Sequence, residues 1–179
     1  SGNCAALGYA EEAGIPYEMG ITKNNYIGRT FIQPEQKIRD FNVRIKLNPI
    51  REVLQGKRVI VVDDSVVRGT TSRKRIHAIR NAGAKEVHLR VASPPVKWPC
   101  FFGIDTPRRS KLIAAKNSVE EIRKFIGADS LGYLSVDGML DCLKNGDKKS
   151  FCCACFDGKY PLKVKNISKY SMEGKKIKL

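Results

Sequence analysis

Apolar stretches and helical stretches alternate through the middle of the chain. Residues 58–62 form a nearly continuous β-branched run, which is typical of a strand buried on both faces of a parallel sheet. Residues 72–82 have helical composition and stop before Gly83, and residues 86–92 predict the next strand. A strand, a loop, a helix and a second strand in this order predict a βαβ unit.

Downstream of this unit the alternation continues less regularly. Ser118, followed three residues later by Glu121, predicts a capping box at the start of a helix over residues 118–126. The remaining units are expected at residues 111–115, as a strand or a short helix, and at residues 131–134 and 137–143. The whole pattern predicts an α/β fold with a mainly parallel sheet and helices on both faces.

The amino-terminal part is less regular. Residues 5–13 predict a helix that ends at Gly14, and residues 15–19 predict a short strand. Residues 20 to 50 mix Asn, Gly and Pro with basic residues and show no sustained period. Connections of that length are typical of lids and binding loops, and the aromatic residues of this one favour a lid over the alternative, a disordered basic ribbon.

The 179 residues suit one domain, and their charge is strongly positive. Lys and Arg number 33 against 18 Asp and Glu, a net charge of +15, which suits a polyanionic ligand and nucleic acid equally well. Part of the surplus lies at residues 163–179, which we predict to be a lysine-rich tail after a domain at residues 1–162. No membrane-spanning run and no signal peptide are recognisable, so a cytoplasmic location is expected.

The most specific feature is the turn after the strand at residues 58–62. Its residues are Asp63, Asp64, Ser65, Val66, Val67, Arg68, Gly69, Thr70 and Thr71. A parallel strand brings adjacent carboxylates to the carboxyl edge of the sheet, where Mg²⁺ and ribose hydroxyls can balance their charge. Backbone N–H groups and hydroxyls at the start of the next helix are expected to bind a phosphate. The alternative is a solvated turn that binds nothing.

This turn resembles the phosphoribosyl pyrophosphate motif of the type I phosphoribosyltransferases. From Ser1 to about Leu162 the chain is similar to the glutamine phosphoribosylpyrophosphate amidotransferases. The matching segments include residues 8–10, 14–17, 28–32, 46–50, 93–95, 99–101, 103–107 and 126–131. The resemblance implies a type I phosphoribosyltransferase fold. It also implies formation of 5-phosphoribosylamine from phosphoribosyl pyrophosphate and glutamine-derived ammonia, the committed step of purine synthesis.

The resemblance also implies roles for individual residues. Asp63 and Asp64 would hold Mg²⁺ and the ribose hydroxyls, residues 65–71 would cradle the 5′-phosphate, and Ser1 would be a further magnesium-linked residue. Tyr26, Arg29 and Lys46 would belong to the lid, which closes over the substrate and keeps water from the carbocation-like ribose.

Two parts of the family pattern have no counterpart in the sequence. One is the amino-terminal glutaminase domain, which would supply the ammonia. The other is the first strand of the transferase domain, which would precede Ser1. Transferase sequence follows Ser1 directly, so we reject Ser1 as a glutaminase nucleophile. Nucleotide inhibitors and a homo-oligomer are further expectations.

Cysteines suggest a second site. Cys152 and Cys155 have the spacing of a metal-ligand pair, which zinc, iron–sulfur and redox sites share. The resemblance identifies Cys100, Cys152 and Cys155 with three of the four ligands of a [4Fe–4S] cluster found in some family members, and we do not align Cys4 with the fourth. The alternative is that these cysteines are small buried apolar residues.

Two other functions fit the turn. One is a different type I phosphoribosyltransferase, such as one that uses a purine base, but residues 28–30 and 46–50 argue against it. The other is a regulator that senses phosphoribosyl pyrophosphate and binds nucleic acid, for which +15 would be suitable. We find no helix-turn-helix pattern, so nucleic acid is not an expected partner.

Overall fold

The structure is a computed structural model, and it describes residues 2–23, 47–143 and 148–163. In chain order the elements are α1 (Gly2–Ala13), β1 (Ile21–Lys23), β2 (Leu47–Pro49), α2 (Arg51–Leu54), β3 (Arg58–Asp63), α3 (Thr70–Asn81), β4 (Glu86–Val91), α4 (Val119–Ile126), β5 (Ser130–Tyr133), α5 (Val136–Asp141) and α6 (Ala154–Asp157). Turns of 3₁₀ helix lie at Arg109–Lys111, Ile113–Ala115 and Lys148–Ser150.

The main sheet is parallel, with the strand order β3-β4-β5. In β4 the side chains of Val87, Leu89 and Val91 are buried, because alternate residues of a strand point to the same face. Helices α3 and α4 belong to the same hydrophobic core as these three side chains. The helices contribute Ile76, Ile79, Ile122 and Ile126 to it. The parallel α/β fold predicted from the alternation of strands and helices is therefore confirmed.

Helix α4 shows why several elements were predictable from the sequence. The backbone N–H of Glu121 donates to Ser118 Oγ, and the Ser118 backbone N–H donates to Glu121 Oε2 at 2.7 Å, so the predicted capping box is confirmed. Gly127, with φ of 75°, ends the helix in the left-handed conformation that glycine adopts most easily. Local hydrogen bonds of this kind depend on neighbouring residues alone.

Two short strands form a small antiparallel ribbon, which is a separate sheet from the main one. Strand β1 pairs with β2, so that Ile21 faces Pro49 and Thr22 faces Asn48. The Ile50 backbone N–H also donates to the carbonyl of Gly20 at 2.9 Å. The two chain ends that flank residues 24–46 therefore lie side by side.

The strand predicted at residues 15–19 is wrong. This segment has no regular structure, and the side chains of Ile15, Tyr17 and Met19 are all exposed. Pro16 has no N–H group to donate to a ladder, and the strand forms instead at Ile21–Lys23, where residues 47–49 provide a partner. The unit expected at residues 111–115 is a pair of 3₁₀ turns.

Strand β3 has one unpaired edge within the described parts of the chain. It hydrogen-bonds to β4 alone, and α1 packs against it. A cleft of about 590 Å³ runs along β3 and is lined by Ala6, Ala10 and Met19 together with the strand itself. None of the described helices is long and apolar enough to cross a membrane.

Candidate active site

The acidic turn leaves β3 at Asp63 and enters α3 at Thr70. Val66 anchors the turn, because its side chain is 1% exposed and belongs to the main core. The carbonyl oxygen of Val67 accepts a hydrogen bond from the Ile113 backbone N–H at 2.9 Å. An apolar anchor and a backbone hydrogen bond thus hold the middle of the turn, while Asp64 and Arg68 at its two sides are exposed.

Gly69 makes the close approach of the turn to Ile113 and Phe125 possible. Its φ is +74°, and a Cβ atom built there would lie 2.8 Å from Ile113 Cδ1 and 3.2 Å from Phe125 Cε1. Any side chain would therefore be strained by the backbone and would collide with two neighbours. Gly69 is also the N-cap of α3, and no side chain forms a cap hydrogen bond there. The first N–H groups of the helix remain suited to binding an anion.

The two aspartates differ in their surroundings. The carboxylate of Asp64 is exposed and accepts a hydrogen bond from the Ser65 backbone N–H at 2.7 Å. The carboxylate of Asp63 forms an ion pair with the guanidinium of Arg75, and the two side chains are only 14% and 20% exposed. Asp63 Oδ1 also accepts from the Asp64 backbone N–H at 3.2 Å. The site therefore offers one exposed carboxylate and one paired, largely buried carboxylate.

Arg75 is the residue of this site that sequence reasoning missed. It lies in the second turn of α3, four residues after Thr71, so the two residues share one side of the helix. Helical side chains lean toward the amino terminus, which brings a long side chain at this position back to the sheet edge. Helical spacing therefore contained the signal, but only the structure shows that Asp63 is the partner.

The structure brings the residues predicted for substrate binding together in one turn from Asp63 to Thr71. The other predicted residues, Ser1, Tyr26, Arg29 and Lys46, lie outside the described residues. The predicted lid can be judged only at its ends, where β1 and β2 pair.

A basic groove lies between the β1–β2 ribbon and α3. Its volume is about 1060 Å³, and its basic lining residues are Arg51, Arg73, Lys74, Arg75 and His77. The lining contains no Asp or Glu among the described residues. Thr70 and Thr71 also line it, so the groove begins at the amino-terminal end of α3. A positive groove of this kind attracts polyanions toward the turn.

The cysteine-containing segment docks on the loop that follows β4. The backbone N–H groups of Lys97 and Trp98 both donate to the carbonyl of Cys155, at 2.9 and 3.0 Å. Tyr160 Oη donates to the carbonyl of Pro99 at 2.7 Å, and its ring lies 5.2 Å from that of Phe101. These contacts bring the segments of Cys100 and Cys155 together.

Two groups of the cysteine-containing segment have raised pKa values. The pKa of Cys155 is raised, first by burial and then by the nearby thiolates of Cys100, Cys152 and Cys153. The pKa of Tyr160 is also raised, mainly by burial, with Cys100 and Cys155 adding to it. All six cysteines are free of disulfides, yet among the described residues no three His, Cys, Asp or Glu side chains are arranged as a metal-binding group.

Comparison with known proteins places the turn in a family segment. Residues 6–93 match the model of the phosphoribosyl transferase domain. The chain is 58% identical over 167 residues to amidophosphoribosyltransferase 1, chloroplastic, of Arabidopsis thaliana, which covers 93% of this chain and 29% of the relative. It is 57% identical over 164 residues to the amidophosphoribosyltransferase of a Synechocystis strain, which covers 92% of this chain and 33% of the relative. The chain thus spans about a third of the length of these relatives.

A solved structure agrees with these matches. The glutamine phosphoribosylpyrophosphate amidotransferase of B. subtilis, complexed with ADP and GMP, superimposes with a TM-score of 0.80 at 53% identity. The match covers 92% of this chain and 37% of that one.

Proposed function

This chain belongs to the amidophosphoribosyltransferase family and comprises its phosphoribosyltransferase part, and from that premise we propose that it transfers the phosphoribosyl group to ammonia in purine synthesis. Phosphoribosyl pyrophosphate is the donor, pyrophosphate leaves, and ammonia forms the new C–N bond of 5-phosphoribosylamine. The observation that carries the proposal is the ordered turn from Asp63 to Thr71 at the carboxyl edge of a parallel sheet.

Each part of the turn has a task in this reaction. The N–H groups at the start of α3 and the hydroxyls of Thr70 and Thr71 bind the 5′-phosphate. Asp64 accepts hydrogen bonds from the ribose hydroxyls at the exposed sheet edge. The basic groove beside α3 raises the local concentration of the anionic substrate.

Mg²⁺ fits the acidic edge. In proteins this ion is usually bound through one or two carboxylates and substrate phosphates, and it keeps several waters, so the absence of a complete protein-only ligand group is compatible with it. Asp64, with Asp63 beside it, would hold the ion, and we propose Ser1 as a further ligand. The bound ion supplies charge stabilisation for the leaving pyrophosphate.

Residues outside the described ranges complete the proposal. We propose that Tyr26, Arg29 and Lys46 act from a lid formed by residues 20 to 50, and that the paired strands β1 and β2 are its base. Hydrogen exchange in peptides from this segment should slow when phosphoribosyl pyrophosphate and Mg²⁺ are added, while β3 stays protected. Equal exchange with and without ligand would contradict the lid.

An iron–sulfur cluster is a second cofactor that we propose. Cys100, Cys152 and Cys155 would hold three corners of a [4Fe–4S] cluster, and their mutual electrostatic influence on Cys155 supports this arrangement. The full-length protein, made anaerobically, should be brown, and its Cys100→Ser variant should lose the colour. Cys142→Ser is the matched control, since Cys142 is exposed and its thiol donates to the carbonyl of Gly138 at 3.2 Å. Equal colour in both variants would contradict the assignment.

The rest of the assembly is also proposed. A glutaminase domain supplies the ammonia, nucleotides inhibit the enzyme, and a homo-oligomer forms in the cytoplasm. The domain covers residues 1–162, the tail covers residues 163–179, and one further strand pairs with the open edge of β3. The B. subtilis relative with ADP and GMP supports the nucleotides, whereas plant relatives named chloroplastic make the stroma the location to exclude by cell fractionation.

The reaction itself is tested with ammonium salts in place of glutamine. The 179-residue protein should release pyrophosphate from phosphoribosyl pyrophosphate when ammonia and Mg²⁺ are present, and Asp64→Asn should lower the rate by about 10²-fold or more, because the exposed carboxylate is lost. Pyrophosphate release that needs a purine base instead of ammonia would identify a different phosphoribosyltransferase. Failure of calorimetry to detect phosphoribosyl pyrophosphate binding would overturn the proposed function.

A further inference from the structure

The ion pair between Asp63 and Arg75 lies inside the acidic turn. The pair joins the last residue of β3 to the second turn of α3, and both side chains are mostly buried, at 14% and 20% exposure. Asp64, the adjacent acid, is exposed and has its carboxylate turned to the Ser65 backbone N–H. The first carboxylate of the turn is therefore held by the fold, while the second is exposed.

Charge is the first consequence of this arrangement. Two adjacent carboxylates repel each other, and each disfavours ionisation of the other. The guanidinium of Arg75 opposes the negative charge of Asp63, so that the edge attracts an incoming cation less strongly than it would without Arg75. Without Arg75, the same edge would attract Mg²⁺ before any substrate arrived.

Orientation is the second consequence. Asp63 Oδ2 is held by Arg75, and Asp63 Oδ1 accepts from the Asp64 backbone N–H at 3.2 Å. The N–H group that donates to Asp63 Oδ1 belongs to the backbone of Asp64 itself. A rotation of the Asp63 carboxylate would therefore disturb the backbone that aims Asp64.

Stability alone is a weak reason for such a pair. A mostly buried ion pair loses much of its attraction to desolvation, and apolar residues of the same size often stabilise a fold as well. Arg73, two residues earlier, shows the ordinary alternative, because it is exposed and its guanidinium lies 5.2 Å above the Phe125 ring.

We propose that Arg75 is a positioning residue that sets the Mg²⁺ requirement for binding phosphoribosyl pyrophosphate, by neutralising and orienting Asp63. The inference rests on the proposed function and deepens it. It assigns to α3, beyond its phosphate-binding end, control over the charge of the acidic pair.

Two measurements test the proposal on the 179-residue protein. The first is the midpoint of a titration with Mg²⁺ alone, followed by the melting temperature. The second is the Kd for phosphoribosyl pyrophosphate at saturating Mg²⁺. In Arg75→Gln the Mg²⁺ midpoint should fall about tenfold, because a positive charge is lost beside two carboxylates, and the Kd should rise about tenfold, because Asp63 loses its orientation.

Control variants separate this role from a structural one. Arg75→Lys keeps the charge and should stay within about twofold of the wild type in the Mg²⁺ titration. Lys85→Gln removes one positive charge at an exposed position just after α3 and outside the basic groove, and it should leave both measurements unchanged. A lower melting temperature in Arg75→Gln with an unchanged Mg²⁺ midpoint would show that the pair only stabilises the fold, and would overturn the proposal.

A double variant keeps the test decisive if Arg75→Gln does not fold. Asp63→Asn with Arg75→Gln replaces the ion pair by two neutral amide side chains. It should show the same Kd for phosphoribosyl pyrophosphate at saturating Mg²⁺ as Asp63→Asn alone, because Asp63 is no longer present to be oriented. A tenfold difference between these two variants would mean that Arg75 acts independently of Asp63. If the wild type binds no phosphoribosyl pyrophosphate, the proposed function fails, but the Mg²⁺ titration still decides the role of Arg75.

Discussion

At the scale of single residues, the most informative positions are those at which the backbone and the surrounding atoms leave little choice of residue. Gly69 has a positive φ and no room for a Cβ, whereas Gly56 has the same φ of +74° and nothing within 4 Å of a Cβ position. A side chain would therefore strain the backbone at both glycines, but it would collide with neighbouring atoms only at Gly69. Comparing them separates backbone strain from the shape of the site.

Gly69→Ala should weaken binding of phosphoribosyl pyrophosphate by at least about tenfold and lower the free energy of unfolding by about 2–3 kcal/mol, because strain and overpacking add. Gly56→Ala should cost only about 1 kcal/mol and leave binding unchanged. Calorimetry and urea unfolding measure the two effects. Equal losses of affinity in both variants would mean that the turn does not depend on close packing at Gly69.

Tyr133 carries a polar group that is not satisfied within the described structure. Its hydroxyl is buried and has no hydrogen-bond partner in the described structure, and burial raises its pKa to about 12. Tyr133→Phe should therefore leave the free energy of unfolding unchanged or raise it by up to about 1 kcal/mol at neutral pH. Urea unfolding measures this difference, with Tyr17→Phe at an exposed site as the control.

The same residue predicts a pH dependence. Between about pH 10 and pH 12 the unfolded chain releases the Tyr133 proton while the folded protein keeps it, so the unfolded state binds fewer protons. The stability of the wild type should then fall with rising pH relative to Tyr133→Phe, and below about pH 10 the difference should be constant. A constant difference through pH 12 would contradict the burial of the hydroxyl.

At the scale of elements, features that depend on neighbouring residues were predictable from the sequence, whereas pairing between distant segments was not. The run of apolar residues in β3 and the capping box of α4 were predictable because neighbouring residues determine them. The strand expected at residues 15–19 was wrong, because strand formation needs a partner, and the partner at residues 47–49 pairs with Ile21–Lys23. For the same reason the acids of the turn were predictable, whereas the pairing of Asp63 with Arg75 was not.

The docking of the carboxyl-terminal segment depends on one close approach. A Cβ on Gly158, the residue that ends α6, would lie 2.7 Å from Cε2 of Trp98. Gly158→Ala should therefore displace this segment from the ring and cost about 2–3 kcal/mol. Gly14→Ala, at another positive φ with open space around it, is the control.

Fluorescence reports this displacement directly, because Trp98 is the sole tryptophan of the sequence. Its ring is covered on one side by the guanidinium of Arg109 at 3.5 Å. Emission should shift to longer wavelength in Gly158→Ala and stay unchanged in Gly14→Ala. Unchanged emission in both variants would contradict the packing of Gly158 on Trp98.

At the scale of the whole molecule, the open edge of β3 is the least usual feature. Within the described residues β3 is hydrogen-bonded to β4 only, so the backbone groups along its other edge have no partner strand. Exposed strand edges lead to association with other chains. The proposed additional strand would remove this liability.

The 179-residue protein should therefore self-associate as its concentration rises, and sedimentation velocity should detect this. Met19→Lys places a charge in the cleft beside β3 at a side chain that is 58% exposed, so it should reduce association with little cost to folding. Leu7→Lys adds the same charge at an exposed site of α1 outside the cleft and is the control. Association that is unaffected by Met19→Lys would place the contact elsewhere.

The β1–β2 ribbon has a consequence for the length of the segment between its two strands. Since the chain leaves and returns at paired residues, Lys23 and Leu47, the main sheet is indifferent to how many residues lie between them. Doubling the length of such a loop costs only about 0.6 kcal/mol in closure entropy. The proposed task as a lid, and not the stability of the sheet, is therefore what limits the number of residues between these two points.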